Sequence, residues 1–461
     1  MLKSNRSILD ADRDHLIHPV TSFRAHEARG ATLLRSGKGM WLTDIDGNRV
    51  LDAFAGLWCV NVGYGHESIV EVAAEQMRRL PYATGYFHFG SEPAVQLAEK
   101  LVELSPAGLD HVFFTLGGSD AVDSAIRYIV HYFNATGFPD KKQFIALERG
   151  YHGSSSTGAG LTGLANFHRF FDVPHRWQHH IPSPYPYRNA DGDDPQAVIA
   201  RSVAALRDKV AELGAETVAA FFCEPVQGSG GVIVPPKGWL KAMRDACTEL
   251  GILFVADEVI TGFGRTGPMF ACEHEQVSPD LMTVAKGLTA GYAPMGAVLM
   301  SDAVYQGIAD GAAPDLPIGH GFTYSGHPVS AAVGLEVLRL YTEGGILANG
   351  QAVARRFDAG MAMLADHPLV GETRGIGLLG AIELVADKRA KTRFDPAHRL
   401  PERLFARGYA NGVIFRAFGD NIIGLAPALC CVDDEMDMIF ARIRKTLDDM
   451  LDEPDVRDAI A

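Results

Sequence analysis

Residues 251–287 constrain the fold of this chain more than any other stretch, because they contain two short apolar runs that each end in a charged side chain. The first run, residues 252–256, ends at Asp257, and the second, residues 281–285, ends at Lys286. Unbroken apolar runs of this length are typical of parallel strands buried on both faces of a sheet. Open α/β sheets bind ligands at the carboxyl ends of such strands. The pattern predicts an α/β fold whose site contains both charged side chains.

A lysine that ends a buried strand is costly to desolvate unless it is paired or used covalently. Asp257 and Lys286 could hold opposite ends of one small, flat, charged molecule. The stretch reads as an apolar strand followed by the motifs DEV, GFGRTG, PD and AKG. This succession resembles the signature of class III pyridoxal-phosphate (PLP) aminotransferases. The resemblance implies that Asp257 pairs with the pyridine nitrogen of PLP and that Lys286 binds the PLP aldehyde as a Schiff base.

The same stretch contains a match to the dinucleotide-binding fingerprint GxGxxG, formed by Gly262, Gly264 and Gly267. That fingerprint requires a helix that begins within the glycines and an acidic residue at the end of the next strand. Here Pro268 follows at once, and the next predicted strand ends in Lys286. The sequence therefore favours a turn over a dinucleotide site.

The overall composition limits the kinds of molecule that this protein is expected to bind. A chain of 461 residues can form two or three lobes around a large core. Its net charge of −14 argues against a nucleic-acid partner, which needs a basic surface. The six scattered cysteines favour reduced thiols. No N-terminal segment has the apolar region of a signal peptide, and no run approaches the length of a membrane span. We expect a cytoplasmic protein without membrane or nucleic-acid partners.

A predicted strand over residues 111–116 leads through glycines into a helix, so the first turn of that helix is a candidate phosphate site. Ser119 is predicted to cap the helix. The alternative is a plain strand-to-helix turn without a ligand. The motif GGSDA is similar to the SGSEA of the aminotransferase family, which implies that Gly118 and Ser119 bind the cofactor phosphate.

Other predicted strand ends carry side chains suited to the same site. Tyr151 follows a strand and could stack on a flat ring, and the motif YHG matches that of the family. His152 also has a plain interpretation as a hydrogen-bonded structural histidine. The resemblance implies that Glu224 orders hydrogen bonds near the cofactor and that Val259 contacts it.

Trp58 lies in a loop that glycines interrupt, and the sequence predicts an exposed ring. From the residues alone, the ring packs either against Leu57 and Val60 or along a substrate pocket. The tripeptide LWC is similar to one in ω-amine transaminases. This likeness implies that Trp58 and Tyr151 line the substrate pocket.

Arg416 and Thr323 match family positions that act on substrate and on the neighbouring subunit. Arg416 resembles the mobile arginine of ω-amino acid and amine:pyruvate transaminases, although Ala417 replaces the more usual proline. The alternative is a surface arginine paired with Asp420. Thr323 matches a threonine that reaches the cofactor phosphate of the neighbouring subunit. The resemblance thus implies a homodimer, with a tetramer as the alternative.

We expect no metal site. His175 and His179 are four residues apart, as a helical metal pair would be, but Pro174 abuts them and no acidic partner has the HExxH arrangement. Residues 1–35 are polar and mixed, and the sequence predicts a loose terminus there. The resemblance instead implies that this arm lies near the mouth of the active site.

The alternation of strands and helices from about residue 110 to residue 300 predicts a largely parallel sheet with helices on both faces. The resemblance implies the fold-type I PLP architecture, with a large cofactor domain and a smaller α+β domain. We divide the chain into an N-terminal arm with part of the small domain (1–57), a large PLP-binding domain (58–328) and a C-terminal small domain (329–461).

The resemblance implies PLP-dependent transamination from an ω-amino acid or primary amine to a keto acid, with pyruvate as the acceptor. Alternatives on the same fold are a 4-aminobutyrate/2-oxoglutarate aminotransferase, an aminomutase and a decarboxylase. A further alternative is a non-catalytic PLP-binding regulator, against which the lack of a basic helix-turn-helix extension counts.

Overall fold

The computed structural model describes residues 5–189, 194–311 and 316–460. Its helices are α1 (Asn5–His15), α2 (Phe23–Arg29), α3 (Ala55–Trp58), α4 (Glu67–Arg79), α5 (Glu92–Leu104), α6 (Gly118–Ala135), α7 (Ser156–Leu161), α8 (Pro195–Leu213), α9 (Trp239–Glu249), α10 (Asp302–Gly311), α11 (Pro328–Thr342), α12 (Ile346–Ala365), α13 (Leu400–Ala410), α14 (Asp433–Leu451) and α15 (Pro454–Arg457). Its strands are β1 (Leu34–Lys38), β2 (Trp41–Asp44), β3 (Arg49–Asp52), β4 (Leu109–Thr115), β5 (Gln143–Leu147), β6 (Gln178–Ile181), β7 (Val218–Cys223), β8 (Leu253–Asp257), β9 (Leu281–Val284), β10 (Gly296–Ser301), β11 (Val370–Ile376), β12 (Leu379–Leu384), β13 (Val413–Ile414), β14 (Arg416–Phe418) and β15 (Ile422–Leu425).

A seven-stranded sheet in the order β4-β10-β9-β8-β7-β5-β6 forms the centre of the molecule. Its pairs are parallel except those of β10, which runs antiparallel to both β4 and β9. The carboxyl ends of the six parallel strands therefore meet at one edge. This arrangement confirms the predicted largely parallel α/β sheet.

Helices cover both faces of this sheet, because successive side chains of a buried strand point to opposite sides. In β7, Phe222 belongs to the core shared with α6 and α10, whereas Phe221 belongs to the core shared with α8 and α9. Both rings are fully buried. Among the helices described, none has the length and apolar character needed to cross a bilayer.

Two smaller sheets complete the fold. One has the order β1-β2-β3-β13, and it joins the two halves of the chain because β13 pairs parallel with β3, Val413 opposite Leu51. The other has the order β11-β12-β15-β14 and is antiparallel throughout. Helices α12 and α14 pack together in the same C-terminal region, where Phe357 and Phe440 are in edge-to-face contact.

The prediction of a loose N-terminal terminus is wrong. This arm contains α1 and α2, and Ser22 caps α2 by accepting a hydrogen bond from the Ala25 N–H. The arm lacks a long apolar run, so its helices depend on tertiary contacts rather than on local pattern. The described part of the segment that follows β5 is mostly without helix or strand, apart from α7 and β6.

Candidate active site

A cavity of about 390 Å³ opens at the edge of the central sheet where the parallel strands end. It brings together every predicted site residue except Thr323, namely Trp58, Gly118, Ser119, Tyr151, His152, Glu224, Asp257, Val259, Lys286 and Arg416. These residues come from segments far apart in sequence. Except for Trp58 in α3 and Arg416 in β14, they lie at or after the carboxyl ends of the parallel strands, which meet at this edge of the sheet.

Lys286 and Asp257 lie at the ends of neighbouring strands, as predicted. Strand β8 pairs parallel with β9, with Asp257 opposite Thr283, and Lys286 follows two residues after β9 ends. Lys286 has a φ of +37°, a left-handed conformation that costs free energy in a lysine and is typical of functional sites. Burial of its ammonium lowers the pKa of Lys286, while the carboxylates of Asp257 and Glu224 oppose that shift.

Both carboxylate oxygens of Asp257 have a hydrogen-bond partner in the protein. His152 Nδ1 lies 2.8 Å from Oδ2, and the Val259 N–H donates to Oδ1 at 3.2 Å. Asp257 and His152 are both buried, and the His152 N–H donates to the Thr162 hydroxyl oxygen at 2.9 Å. These contacts fix the orientation of the carboxylate towards the cavity, and they agree with the interpretation of His152 as a hydrogen-bonded histidine.

Glu224, in the cavity lining, joins two loops. Its carboxylate accepts hydrogen bonds from the Tyr151 N–H and the Gly228 N–H, both at 2.9 Å. Burial raises the pKa of Glu224 to about 7, even though His152 and both N–H donors favour the ionised form. A loop that follows β5 is thereby tied to one that follows β7.

The first turn of α6 faces the cavity, but Ser119 is not its cap. The cap is Gly117, whose carbonyl accepts the first helical bond from Ala121 at 3.0 Å. The Ser119 hydroxyl instead accepts a hydrogen bond from the Ser154 N–H at 3.1 Å. Starting the helix at Gly118 leaves the N–H groups of its first turn without helical acceptors, which is the arrangement that binds anions.

Two glycines allow this turn to be packed closely. A Cβ on Gly118 would lie 3.0 Å from the Val259 side chain. A Cβ on Gly153, whose φ is +113°, would lie 2.9 Å from the backbone of Ser119. Both contacts are too close for a larger residue, so the glycines keep the backbone near the space that a phosphate would fill.

The Trp58 ring is buried, not exposed as the sequence predicted, with only 3% of the residue accessible. It makes an edge-to-face contact with Phe54 at 4.4 Å between centroids and lies 6.2 Å from the Phe418 ring. Lys286 Nζ lies 5.8 Å from the Trp58 ring. Trp58 therefore forms part of the cavity wall. Phe54 precedes it by four residues, and Phe418 comes from near the other end of the chain.

Arg416 lies in the cavity lining without an ion pair among the residues that the structure describes. Its guanidinium carbon is 5.6 Å from the Phe418 ring, and burial lowers the pKa of Arg416. The predicted alternative, a pair with Asp420, is wrong. Asp420 Oδ2 instead lies 2.6 Å from Arg149 and 3.3 Å from Arg393.

Thr323 lies outside the cavity of its own chain. It is exposed, and its carbonyl accepts a hydrogen bond from the Tyr82 hydroxyl at 3.0 Å. In contrast, Pro19 and Val20 of the N-terminal arm line the cavity, in agreement with the expectation from the family resemblance.

The histidines considered as a metal pair make other contacts. The His175 ring stacks on Trp177 at 5.5 Å between centroids. His179 lies in β6, and its Nε2 is 2.8 Å from the Gln143 side-chain oxygen.

Sequence reasoning missed the aromatic and aliphatic residues that complete the wall. Phe167 contacts the Tyr151 ring edge-to-face at 5.2 Å, and Phe418 lies opposite, against Trp58. Ile260 adds an apolar surface next to Val259. No local motif marks these residues, since each lies near the site only through the fold. They make the cavity largely apolar around a few charged groups.

The model of the family described as aminotransferase class-III matches residues 24–447. The chain belongs to this family. This aminotransferase is 42% identical to putrescine–pyruvate aminotransferase of Pseudomonas aeruginosa, over 95% of the chain and 94% of the relative. It is 37% identical to diaminobutyrate–2-oxoglutarate transaminase of Halomonas elongata, over 98% of each. Its structure matches an ω-transaminase from Pseudomonas jessenii in complex with PMP, with a TM-score of 0.94, 37% identity, and coverage of 96% of the chain and 98% of that structure.

The family uses PLP, has the fold-type I architecture and acts on small-molecule amines and keto acids. The residues of this aminotransferase fit that cofactor. The Lys286 amine, whose pKa is lowered, and the buried Asp257 carboxylate face one cavity, together with a helix turn that has free N–H donors. Gly118 and Gly153 let Val259 and the loop after β5 pack closely against that turn.

Proposed function

We propose that this aminotransferase moves an amino group from a primary amine or ω-amino acid to pyruvate. The observation that carries the proposal is Arg416, an arginine without an ion pair among the described residues, in a cavity whose lining also contains several aromatic rings. An apolar cavity accepts the body of an amine, while one arginine supplies a partner for a carboxylate. The putrescine–pyruvate relative supports the same pairing of an amine with pyruvate.

We propose that Lys286 and Asp257 are the catalytic residues. PLP, when bound, supplies an electron sink for the bond that breaks at the substrate's reacting carbon. Lys286 holds the cofactor through its amine, and its lowered pKa favours the neutral, nucleophilic form. Once released by the incoming amine, the same Nζ would take the proton from the substrate carbon and deliver it to the cofactor carbon that receives the amino group. Asp257 holds a proton at the ring nitrogen, with His152 orienting its carboxylate.

The remaining cofactor contacts divide between phosphate and ring. The N–H groups of Gly118 and Ser119 bind the phosphate at the start of α6. Tyr151 and Val259 contact the ring, and Glu224 positions Tyr151 through its backbone N–H. The substrate would lie between Trp58, Tyr151 and Arg416.

We also propose a homodimer in which Thr323 of one chain reaches the phosphate site of its partner. The exposure of Thr323 and its position outside its own cavity support this assignment. We retain the division into 1–57, 58–328 and 329–461, which the pairing of β3 with β13 supports by linking the two small-domain segments. The six unpaired cysteines support a cytoplasmic location.

A second acceptor, 2-oxoglutarate, is favoured by the Halomonas relative, whose name includes it. The test is a panel of amines against each keto acid with the tag-free holoenzyme, followed through the cofactor absorbance in separate half-reactions. We expect simple amines and diamines to aminate the cofactor and pyruvate to restore it faster than 2-oxoglutarate. Faster restoration by 2-oxoglutarate would refute the pyruvate assignment, and failure of every non-carboxylate amine would refute the amine assignment.

A further inference from the structure

Three side chains of the N-terminal arm, none of them used in amino transfer, converge on one point. Asp12 lies in α1, His26 lies in α2, and His18 lies in the segment between them. Over the described parts of the chain, they form the one group of three histidine, cysteine or acidic side chains whose ligand atoms all lie within 4.8 Å of one another.

The geometry of this group leaves polar atoms unsatisfied. His18 Nε2 lies 2.8 Å from Asp12 Oδ1, and His26 Nε2 lies 3.4 Å from Asp12 Oδ2. The side chains of Asp12 and His26 are only 4% and 10% exposed, yet Asp12 Oδ2 and His26 Nε2 have no hydrogen-bond partner in the described structure. Buried polar atoms without partners are uncommon and costly, so a missing ligand is a direct explanation.

We propose that Asp12, His18 and His26 bind a divalent transition metal, with Zn²⁺ the best match, which ties α1 to α2. Two imidazoles and one carboxylate, with a fourth position left for water, form a ligand set that Zn²⁺ takes. Ca²⁺ and Mg²⁺ prefer oxygen ligands and would not select the two histidines. Neither the family relationship nor the amino-transfer chemistry calls for this metal.

The spacing of the three ligand atoms is compatible with one metal ion. Metal–ligand bonds of about 2.0–2.1 Å place tetrahedral ligand atoms about 3.3 Å apart. His18 Nε2 lies 2.8 Å from Asp12 Oδ1, whereas His26 Nε2 lies 3.4 Å from Asp12 Oδ2. All three side chains offer ligand atoms within 4.8 Å of one another, so small side-chain shifts would bring them around one ion.

The segment that the metal would hold is part of the cavity mouth. Pro19 and Val20, which line the cavity, lie between His18 and His26. Val20 has a φ of +51°, a strained conformation for a β-branched residue that persists only where the surroundings fix it. A metal bound on both sides of this segment would fix its ends.

The first test measures metal binding by tag-free holoenzyme that has been stripped with a chelator and then titrated with Zn²⁺. We expect one Zn²⁺ per chain by mass spectrometry, and tetrahedral absorption bands when Co²⁺ is used instead. Asp12→Asn and His26→Gln should each lower the affinity at least about tenfold, since loss of even an indirect partner of a metal costs about 10–100-fold. His15→Gln, an exposed histidine on the same helix, is the matched control and should bind like the wild type.

The second test asks whether the metal ties the arm. Trypsin can cut after Arg13, Arg24 and Arg29, and Zn²⁺ should slow this cleavage in the wild type and in His15→Gln but not in His26→Gln. The proposal is overturned if the wild type does not bind one Zn²⁺ per chain. This outcome does not depend on whether any variant folds. Equal binding by Asp12→Asn and the wild type, or binding that leaves cleavage unchanged, also overturns it.

Discussion

Replacement of Arg416 by alanine should damage one half of the reaction and spare the other. In the cavity the Arg416 guanidinium has no ion pair among the described residues, so a substrate carboxylate would find a cation that no other carboxylate already holds. A non-carboxylate amine has no group to place there. The loss should therefore fall on the keto acid half-reaction.

The expected magnitude follows from the hydrogen bonds that an arginine can make. A charge-assisted hydrogen bond contributes about 1.5–3 kcal/mol, and a guanidinium can donate two to one carboxylate. The Arg416 residue keeps considerable solvent exposure, so the low end of that range applies. About 3 kcal/mol corresponds to a loss of very roughly 10²-fold in kcat/KM for pyruvate.

The assay follows cofactor amination by a simple amine and cofactor restoration by pyruvate as separate single turnovers. Arg416→Lys keeps the charge but loses the planar pair of donors, and should recover part of the pyruvate rate. Arg393→Ala removes a nearby arginine that pairs with Asp420 instead, and should leave both halves close to the wild type. Equal losses in both half-reactions of Arg416→Ala, or no loss in either, would refute the assigned role.

Three further variants test the proposed chemistry. Lys286→Ala should lose the visible band of the covalently held cofactor and nearly all turnover, and borohydride trapping at a different lysine would contradict it. Asp257→Asn should keep the cofactor but slow proton removal by about 10²–10⁴-fold in single turnover, so that a wild-type rate would exclude the role. Glu224→Gln tests the raised pKa of Glu224. In the folded protein this carboxyl keeps its proton up to about pH 7, whereas in the unfolded chain it loses the proton near pH 4.5. The stability of the wild type should therefore fall as the pH rises from about 4.5 to about 7. The cofactor-free wild type should lose more Tm than the variant between those pH values, an effect of about 3 kcal/mol, and parallel Tm curves would show that burial does not raise this pKa.

The strands that form the site were predictable because few other structures suit their sequences. Strand β7 (Val218–Cys223) shows the pattern, since an apolar run between polar turns fits a strand buried on both faces. The same pattern predicted that Asp257 and Lys286 end adjacent strands. Family motifs added Gly118 and Tyr151, which composition alone would leave as ordinary turn residues.

The predictions that failed depend on contacts between distant parts of the chain. Strand β6 contains His179 and His180, and its edge position in the sheet leaves no apolar run for the sequence to show. Trp58 is buried because Phe418, from the far end of the chain, covers one side of the ring. Asp420 lies four residues after Arg416 but pairs with Arg149 and Arg393 instead. These partners are brought close only by the fold, so the sequence did not indicate them.

The parallel pairing of β13 with β3 has a consequence for synthesis. Leu51 leaves the ribosome long before its partner Val413, with more than three hundred residues between them. At about 5–20 residues per second, the strand nearest the amino terminus waits roughly 20–70 s for its neighbour. During that time one edge of β3 presents unpaired N–H and C=O groups, the kind of surface that joins other nascent chains. That edge of β3 is therefore closed by its native partner only when translation is almost complete.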